Sequence, residues 1–256
     1  MRKKKILMVN EASFLKTGYS TYGYEILKRL HATGKYEIAE LGCFAKQDDP
    51  QQKQLPWKFY GNLPALNNKA EIDYYNSNSL HSFGSWKFEE ILLDFQPDIV
   101  FDIRDWWMLE FEERSPFRKF YHWAIMPTVD ATPQHPQWLS TFMNADAVFT
   151  YSDWGLEELK KQGGLINVIN SAPPGTDLEN FFPIEDKVRH KTNQGLPADS
   201  FIIGTIMRNQ TRKLYPELIE AFSKAVKELP ENTYLYMHTS YPDWWDIPSL
   251  IVEYEV

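Results

Sequence analysis

The chain has a single cysteine, Cys43, among 256 residues, so it can form no intrachain disulfide and no multi-cysteine zinc site. That scarcity fits a reducing compartment, and the cytoplasm is the expected location. There is no apolar run long enough to span a bilayer. The opening MRKKKILMVN sets basic residues before apolar ones, but the apolar run is far too short for a signal-peptide core and reads as a first strand. Peripheral membrane contact, through the N-terminal lysines or exposed aromatics, is left open. Positive charge is also scarce: 27 Lys and Arg face 35 Asp and Glu, for a net charge of −8, which argues against a general nucleic-acid binder. The sequence lacks a G-x-S-x-G elbow, a Walker loop and a G-x-G-x-x-G turn, which counts against hydrolase, P-loop and dinucleotide readings. His122 and His135 lack the helical spacing of a zinc pair, so no metal site is expected.

Strands alternating with helices fill the sequence. Residues 6–9 read as a buried strand, 10–21 as a loop, and the stretch to Ala32 as a helix with Tyr22, Ile26, Leu27 and Leu30 on its apolar face. Gly34 closes that helix, and a strand follows at 37–44, completing a βαβ unit. Residues 48–78, rich in Gln, Asn and Pro, read as an irregular excursion with one short strand near 57–60. A helix at 86–95 and strands at 98–103, 120–126, 147–151 and 168–170 come next, with Ser152 placed to cap a helix over 153–162. This is the pattern of a doubly wound parallel α/β sheet. After Pro183 the pattern restarts: a helix near 186–193, a strand at 201, a helix over 216–229, a strand at 234–238 and a helix opened by Pro248. The expected division is therefore residues 1–183 and 184–256, the second unit having few strands.

The run 201–226, FIIGTIMRNQTRKLYPELIEAFSKAV, combines a strand, a cationic segment and an amphipathic helix. Ile202, Ile203, Thr205 and Ile206 suit a strand covered on both faces. Arg208, Arg212 and Lys213 follow its carboxyl end, where open α/β sheets place ligands, and the next helix would add its positive dipole end. A plain solvated turn is the alternative.

In order and spacing these features resemble the GT-B fold glycosyltransferases, specifically the retaining family four. The residues that carry the resemblance are the glycine loop Lys16-Thr17-Gly18-Tyr19-Ser20, the turn Pro174-Gly175-Thr176-Asp177 with Phe182-Pro183 after it, and the pair Arg208 and Lys213. The resemblance implies a Rossmann-like acceptor domain followed by a partial, truncated Rossmann-like donor domain, because the family's paired-glutamate motif would lie beyond Val256. It implies transfer of a sugar, with retention, from a nucleotide-diphosphate-sugar co-substrate to a carbohydrate, lipid or protein acceptor. No other cofactor is implied. The chain has no Asp-x-Asp triplet, in keeping with metal-independent GT-B chemistry.

On that resemblance Arg208 and Lys213 would hold the donor diphosphate, and the backbone at Thr17 and Gly18 would reach the same phosphates across the family's cleft; a plain turn at Gly18 is the alternative. Asp130 stands where many members carry a histidine, and would orient or deprotonate an acceptor hydroxyl, or else cap a turn before Pro133. Asp105, Trp106 and Trp107 follow a strand's carboxyl end, the tryptophans in a loop, and are candidate acceptor contacts; Asp105 would otherwise pair with Arg104 or a neighbour. His238 is a candidate donor contact or a structural histidine. A second reading from another class is a non-catalytic glycosyltransferase-like module completed by a partner or by homo-oligomerisation. A third is a sugar-phosphate enzyme on the same fold, such as an epimerase or a phosphorylase.

Overall fold

A computed structural model describes residues 2–256; Met1, the first residue of the expected N-terminal domain, lies outside the described residues. The chain divides into two compact units, the first running to Gly175 and the second covering Thr176–Val256.

The first unit contains β1 (Lys4–Glu11), α1 (Gly18–Ala32), β2 (Tyr36–Cys43), β3 (Lys58–Gly61), α2 (Lys69–Asn76), α3 (Ser85–Phe95), β4 (Ile99–Asp102), α4 (Trp106–Arg114), β5 (His122–Ile125), α5 (Pro136–Met143), β6 (Ala147–Thr150), α6 (Asp153–Gln162) and β7 (Val168–Ser171). Its strands pair in parallel in the order β3-β2-β1-β4-β5-β6-β7. The order reverses beside β1, which pairs with β2 on one side and β4 on the other. That reversal is the place where an open parallel sheet leaves a crevice at its strands' carboxyl ends.

β1 is covered on both faces, as the alternation of its side chains requires. Leu7 and Val9 join Phe88, Ile91, Leu92 and Phe95 of α3, together with Trp123 and Phe142, in one core. Met8 points the other way, into a second core with Leu27 of α1, Ile38, Trp57 and Ile103. Truncating such a side chain to alanine costs about 2–5 kcal/mol. The helix signals act as expected: Thr17 caps α1 by accepting from Ser20 N, Gly34 follows it at φ 67°, and Ser152 caps α6 by accepting from Gly155 N at 3.0 Å.

The structure corrects the expected elements at several points. The segment 48–78 holds helix α2 and a short 3-10 helix at Pro50–Gln54 besides its strand. α1 begins at Gly18, three residues before the expected end of the loop. Trp106 and Trp107 open helix α4 and do not lie in a loop. No helix among the described residues is long and apolar enough to cross a membrane.

The second unit contains α7 (Lys187–Asn193), β8 (Phe201–Ile206), α8 (Tyr215–Ala225), β9 (Thr233–His238) and α9 (Ile247–Glu253). β8 and β9 pair in parallel, and Tyr215, Ile219 and Ile247 form their own core against Leu235 and Met237. β8 is not covered on both faces: Phe201, Ile202 and Ile206 are exposed. The other face of β8, at Ile203 and Thr205, is only partly covered, so an apolar sequence here does not by itself report a doubly covered strand.

Close approach of α1 to β1 rests on Gly23, where an added Cβ would sit 2.2 Å from Asn10 Nδ2. Asn10 is buried and donates to Tyr19 O at 2.8 Å, so it cannot yield without losing that bond. Gly23→Ala is expected to destabilise the fold by about 1–3 kcal/mol in urea unfolding. Gly18→Ala, where a Cβ meets nothing within 4 Å, is expected to leave the midpoint unchanged.

Candidate functional site

The carboxyl ends of β1 and β4 are held by buried polar groups. After β1, Ser13 donates to the Glu40 carboxylate through its N–H (2.6 Å) and its hydroxyl (2.8 Å), and Trp57 Nε1 donates to the same group at 2.8 Å. Burial pushes the Glu40 carboxyl up, while these three donors pull it down. Ser20 Oγ donates to Ala12 O (2.7 Å) and Leu15 O (2.6 Å), folding the loop back onto α1. The Thr17 hydroxyl bonds to Glu11, leaving Lys16, Thr17 and Gly18 exposed at the start of α1. The first N–H groups of a helix have no intrahelical acceptor, so this corner presents donors to solvent.

After β4, Arg104 is wholly buried and lies against Asp102, also wholly buried. Asp102 accepts from Arg104 N at 2.8 Å and from its Nε at 3.0 and 3.1 Å. Arg104 Nη1 donates to Phe83 O at 3.0 Å and contacts Cys43 Sγ at 3.2 Å. Burial works against the guanidinium charge, but its neighbours, the Asp102 carboxylate foremost, raise it on balance and hold Arg104 ionised. Glu112 of α4 shares this interior: its Oε2 accepts from Trp123 Nε1 at 2.5 Å. Burial first, and then the Asp102 charge, push the Glu112 carboxyl well above the usual carboxylate range. The group therefore sets the Arg104 cation against Asp102, with Glu112 beside them shifted toward its protonated form.

With Arg104 paired to Asp102, Asp105 is left at the crevice. It sits at the N-cap position of α4, half-buried, and makes no cap hydrogen bond. It lies near Tyr19, whose hydroxyl is 3.1 Å from Thr128 Oγ1. Burial, opposed by the Thr128 hydrogen bond and aided by the Asp105 charge, pushes the Tyr19 phenol up to about 12, so it remains a donor at neutral pH. The structure thus brings together Thr17, Gly18 and Asp105 through Tyr19 and Thr128, two residues that motif reading passes over. Tyr19 does sit inside the glycine motif; Thr128 carries no sequence signal.

The remaining candidates of this unit scatter. Asp130 is exposed, two residues past Thr128. Trp106 stacks on Trp138 at 5.5 Å and 29°, which is packing, whereas Trp107 is exposed with its edge against Phe83. His135 caps α5 by accepting from Gln137 N at 3.3 Å. A cleft of about 430 Å³ opens between the segments following β2 and β3, lined by Lys46, Glu71 and Lys87. Burial pulls Lys87 down, and its Nζ donates to Gly61 O at 2.8 Å.

In the second unit, the segment after β8 is pinned by Asn209, which accepts from Trp245 N at 2.9 Å and donates to Trp245 O at 2.8 Å. Tyr215, also buried, donates to Met207 O at 2.8 Å. Between these anchors the cations stay outside: the Arg208 side chain is 72% exposed and only loosely paired with Asp243 at 3.9 Å. Arg212 is exposed and Lys213 half-buried, neither in an ion pair among the described residues. Lys213 ends a 3-10 turn, Leu214 follows at φ 54°, and α8 begins with no side-chain cap and with Pro216 in its first turn. His238 ends β9 opposite Ile206, so it shares this end of the sheet with Arg208. Its Nδ1 lies 3.1 Å from Tyr236 OH.

No family model matches the chain, and no curated protein matches it in sequence. Solved structures do match in fold. Sucrose-phosphate synthase from Thermosynechococcus elongatus aligns with a TM-score of 0.66 at 17% identity, over 99% of this chain and 68% of that one. HepE from Anabaena, in complex with UDP and glucose, aligns at 0.63 and 13% identity, over 98% and 66%. A putative UDP-N-acetylglucosamine 2-epimerase from Listeria monocytogenes aligns at 0.57 and 15%, over 99% and 66%. The chain thus spans about two thirds of the length of these structures, and its fold is GT-B-like: a Rossmann-like parallel sheet followed by a partial second Rossmann-like unit.

Two substitutions test the buried group. Asp102→Asn leaves Arg104 sealed in without its counter-charge and is expected to cost about 3–5 kcal/mol. Glu112→Gln mimics the neutral acid. Because the folded-state carboxyl is raised, wild-type stability from this group is present at low pH and lost as pH rises through the folded value. The variant should match wild type at acid pH, below the unfolded carboxyl's value, and gain on it as pH rises above that value in thermal melts. Parallel melting curves would contradict a neutral Glu112.

Proposed function

We propose that the chain is a glycosyltransferase that takes a nucleotide-diphosphate-sugar and transfers its sugar, with retention and without metal, to a carbohydrate, lipid or protein acceptor. The observation that carries the reading is the segment after β8. Two cations, Arg208 and Lys213, stand outside a loop that buried Asn209 and Tyr215 hold rigid, directly ahead of a helix with no side-chain cap. Glycosyl transfer releases a diphosphate, and cations carried on a pinned loop, together with free helix N–H groups, can stabilise that leaving group. Arg208 and Lys213 are assigned to the donor phosphates in this reading, with His238 beside them at the same strand ends.

On the first unit, the exposed amides at Thr17 and Gly18 are assigned to the donor as well. The open space at Gly18 supports this, since a ligand can approach its backbone closely. Asp130 is assigned to the acceptor hydroxyl as its late base, Asp105 and Trp107 to acceptor contact, and the cleft beside Lys46 and Lys87 to the acceptor's remaining groups. Trp106 drops to a supporting role because Trp138 already covers its ring.

A second reading, a nucleotide-sugar epimerase, draws on the likeness to the Listeria monocytogenes structure. It would use the same phosphate contacts. Incubation with a nucleotide-sugar alone separates the two: an epimerase yields an isomeric nucleotide-sugar, whereas a transferase yields free nucleoside diphosphate only when an acceptor is supplied.

The donor site is tested by calorimetric titration with UDP, other nucleoside diphosphates and their sugars. Losing one charge-assisted contact costs about 1.5–3 kcal/mol, so Arg208→Ala and Lys213→Ala should each weaken binding by about tenfold to a hundredfold. Unchanged affinity in both variants would remove the donor site from this segment.

A further inference from the structure

At the amino ends of the strands, away from every residue assigned above, the first unit carries a groove of about 670 Å³. Leu93, Phe117, Phe120 and Tyr121 form its walls, and Arg2 and Lys5 stand at its rim. Phe120 is 79% exposed and Leu93 60% exposed, although the chain has ample interior in which to bury them. Cations gather at the same end. Arg2, Lys3 and Lys4 are exposed along the start of β1, and Lys119 is exposed beside Phe120. The acidic groups at this end are each met by a cation: Asp98 takes Arg2 at 2.7 Å and Lys4 at 3.2 Å, Glu37 lies 3.8 Å from Lys5, Asp94 beside Leu93 takes Lys58 at 2.6 Å, and Asp146 takes Arg118 at 3.0 Å. Lys3 and Lys119 enter no ion pair among the described residues.

We propose that this end of the sheet docks on an anionic lipid bilayer, with Phe120 and Leu93 entering the interface and Arg2, Lys3, Lys4 and Lys119 meeting the lipid phosphates. Charge complementarity selects this occupant. The chain as a whole is at −8, so an anionic surface repels most of it, and the amino end of the first unit's sheet offers that surface cations together with a groove and protruding apolar side chains. An aromatic ring flanked by a lysine is also the combination that partitions into the headgroup region. Docking there turns the carboxyl ends of the first unit's strands, with Thr17 and Asp105, away from the lipid.

Co-sedimentation of the full chain with vesicles tests this. Binding is expected to vesicles of phosphatidylcholine mixed with phosphatidylglycerol, to weaken with salt, and to be absent with phosphatidylcholine alone. Lys3→Glu with Lys119→Glu should weaken it by about tenfold or more, and Leu93→Ser with Phe120→Ser by a similar factor, both variants keeping the wild-type circular dichroism spectrum. A folded wild-type chain that stays in the supernatant with the anionic vesicles overturns the proposal. So does binding indifferent to phosphatidylglycerol, and so does binding that survives both double substitutions.

Discussion

A guanidinium sealed inside the first unit sets the terms for the carboxyl end of its sheet. Arg104 has no solvent to stabilise its charge, so Asp102 must stand against it at the last position of β4, and the backbone N–H of Arg104 turns back to the same carboxylate. That turn ends the strand and delivers Asp105 to the N-cap position of α4. It also separates two carboxylates: Asp102 pairs with the guanidinium, and Asp105 faces the Tyr19 hydroxyl instead. Glu112 enters the same interior as a neutral acid, held there by Trp123. A buried ion pair of this kind is poor evidence for stability gained, and better understood as a device that fixes one loop geometry.

The same division of labour recurs at each strand end that matters. Glu40 holds the loop after β1, and Asn209 with Tyr215 holds the segment after β8. In each case the buried polar residue faces inward, and the residues assigned to chemistry, Gly18 in one and Arg208 in the other, are left outside. Rigid backbone with exposed donors suits ligands that carry negative charge, because ordering costs are met on folding and not on binding.

Much of this was legible in the sequence where local rules act alone. Alternating strands and the caps at Ser152 and Gly34 follow from periodicity and turn chemistry. Helix α4 did not show, because its buried face is Met108, Leu109 and Glu112, and a carboxylate at a core position breaks the apolar period. Helix α2 buries no residue at all, so it leaves no stripe to find. The exposure of β8 went the other way: Ile202 and Ile206 have the composition of a sheathed strand, but coverage depends on what packs on it and not on the strand itself. For the proposed donor site, Arg208, Lys213 and Gly18 are singled out by motif alone. The pairing of Arg104 with Asp102, and the meeting of Tyr19 with Thr128, depend on contacts 2 and 109 residues apart that no motif encodes.

We assign the nucleotide diphosphate to the segment from Arg208 to the start of α8. Amide hydrogen exchange of the whole chain, with and without saturating UDP, addresses it residue by residue. The account predicts slowed exchange over residues 208–218, where uncapped helix N–H groups would gain an acceptor. Exchange there that is identical with and without UDP, in a chain that binds UDP, would place the donor elsewhere and contradict the account.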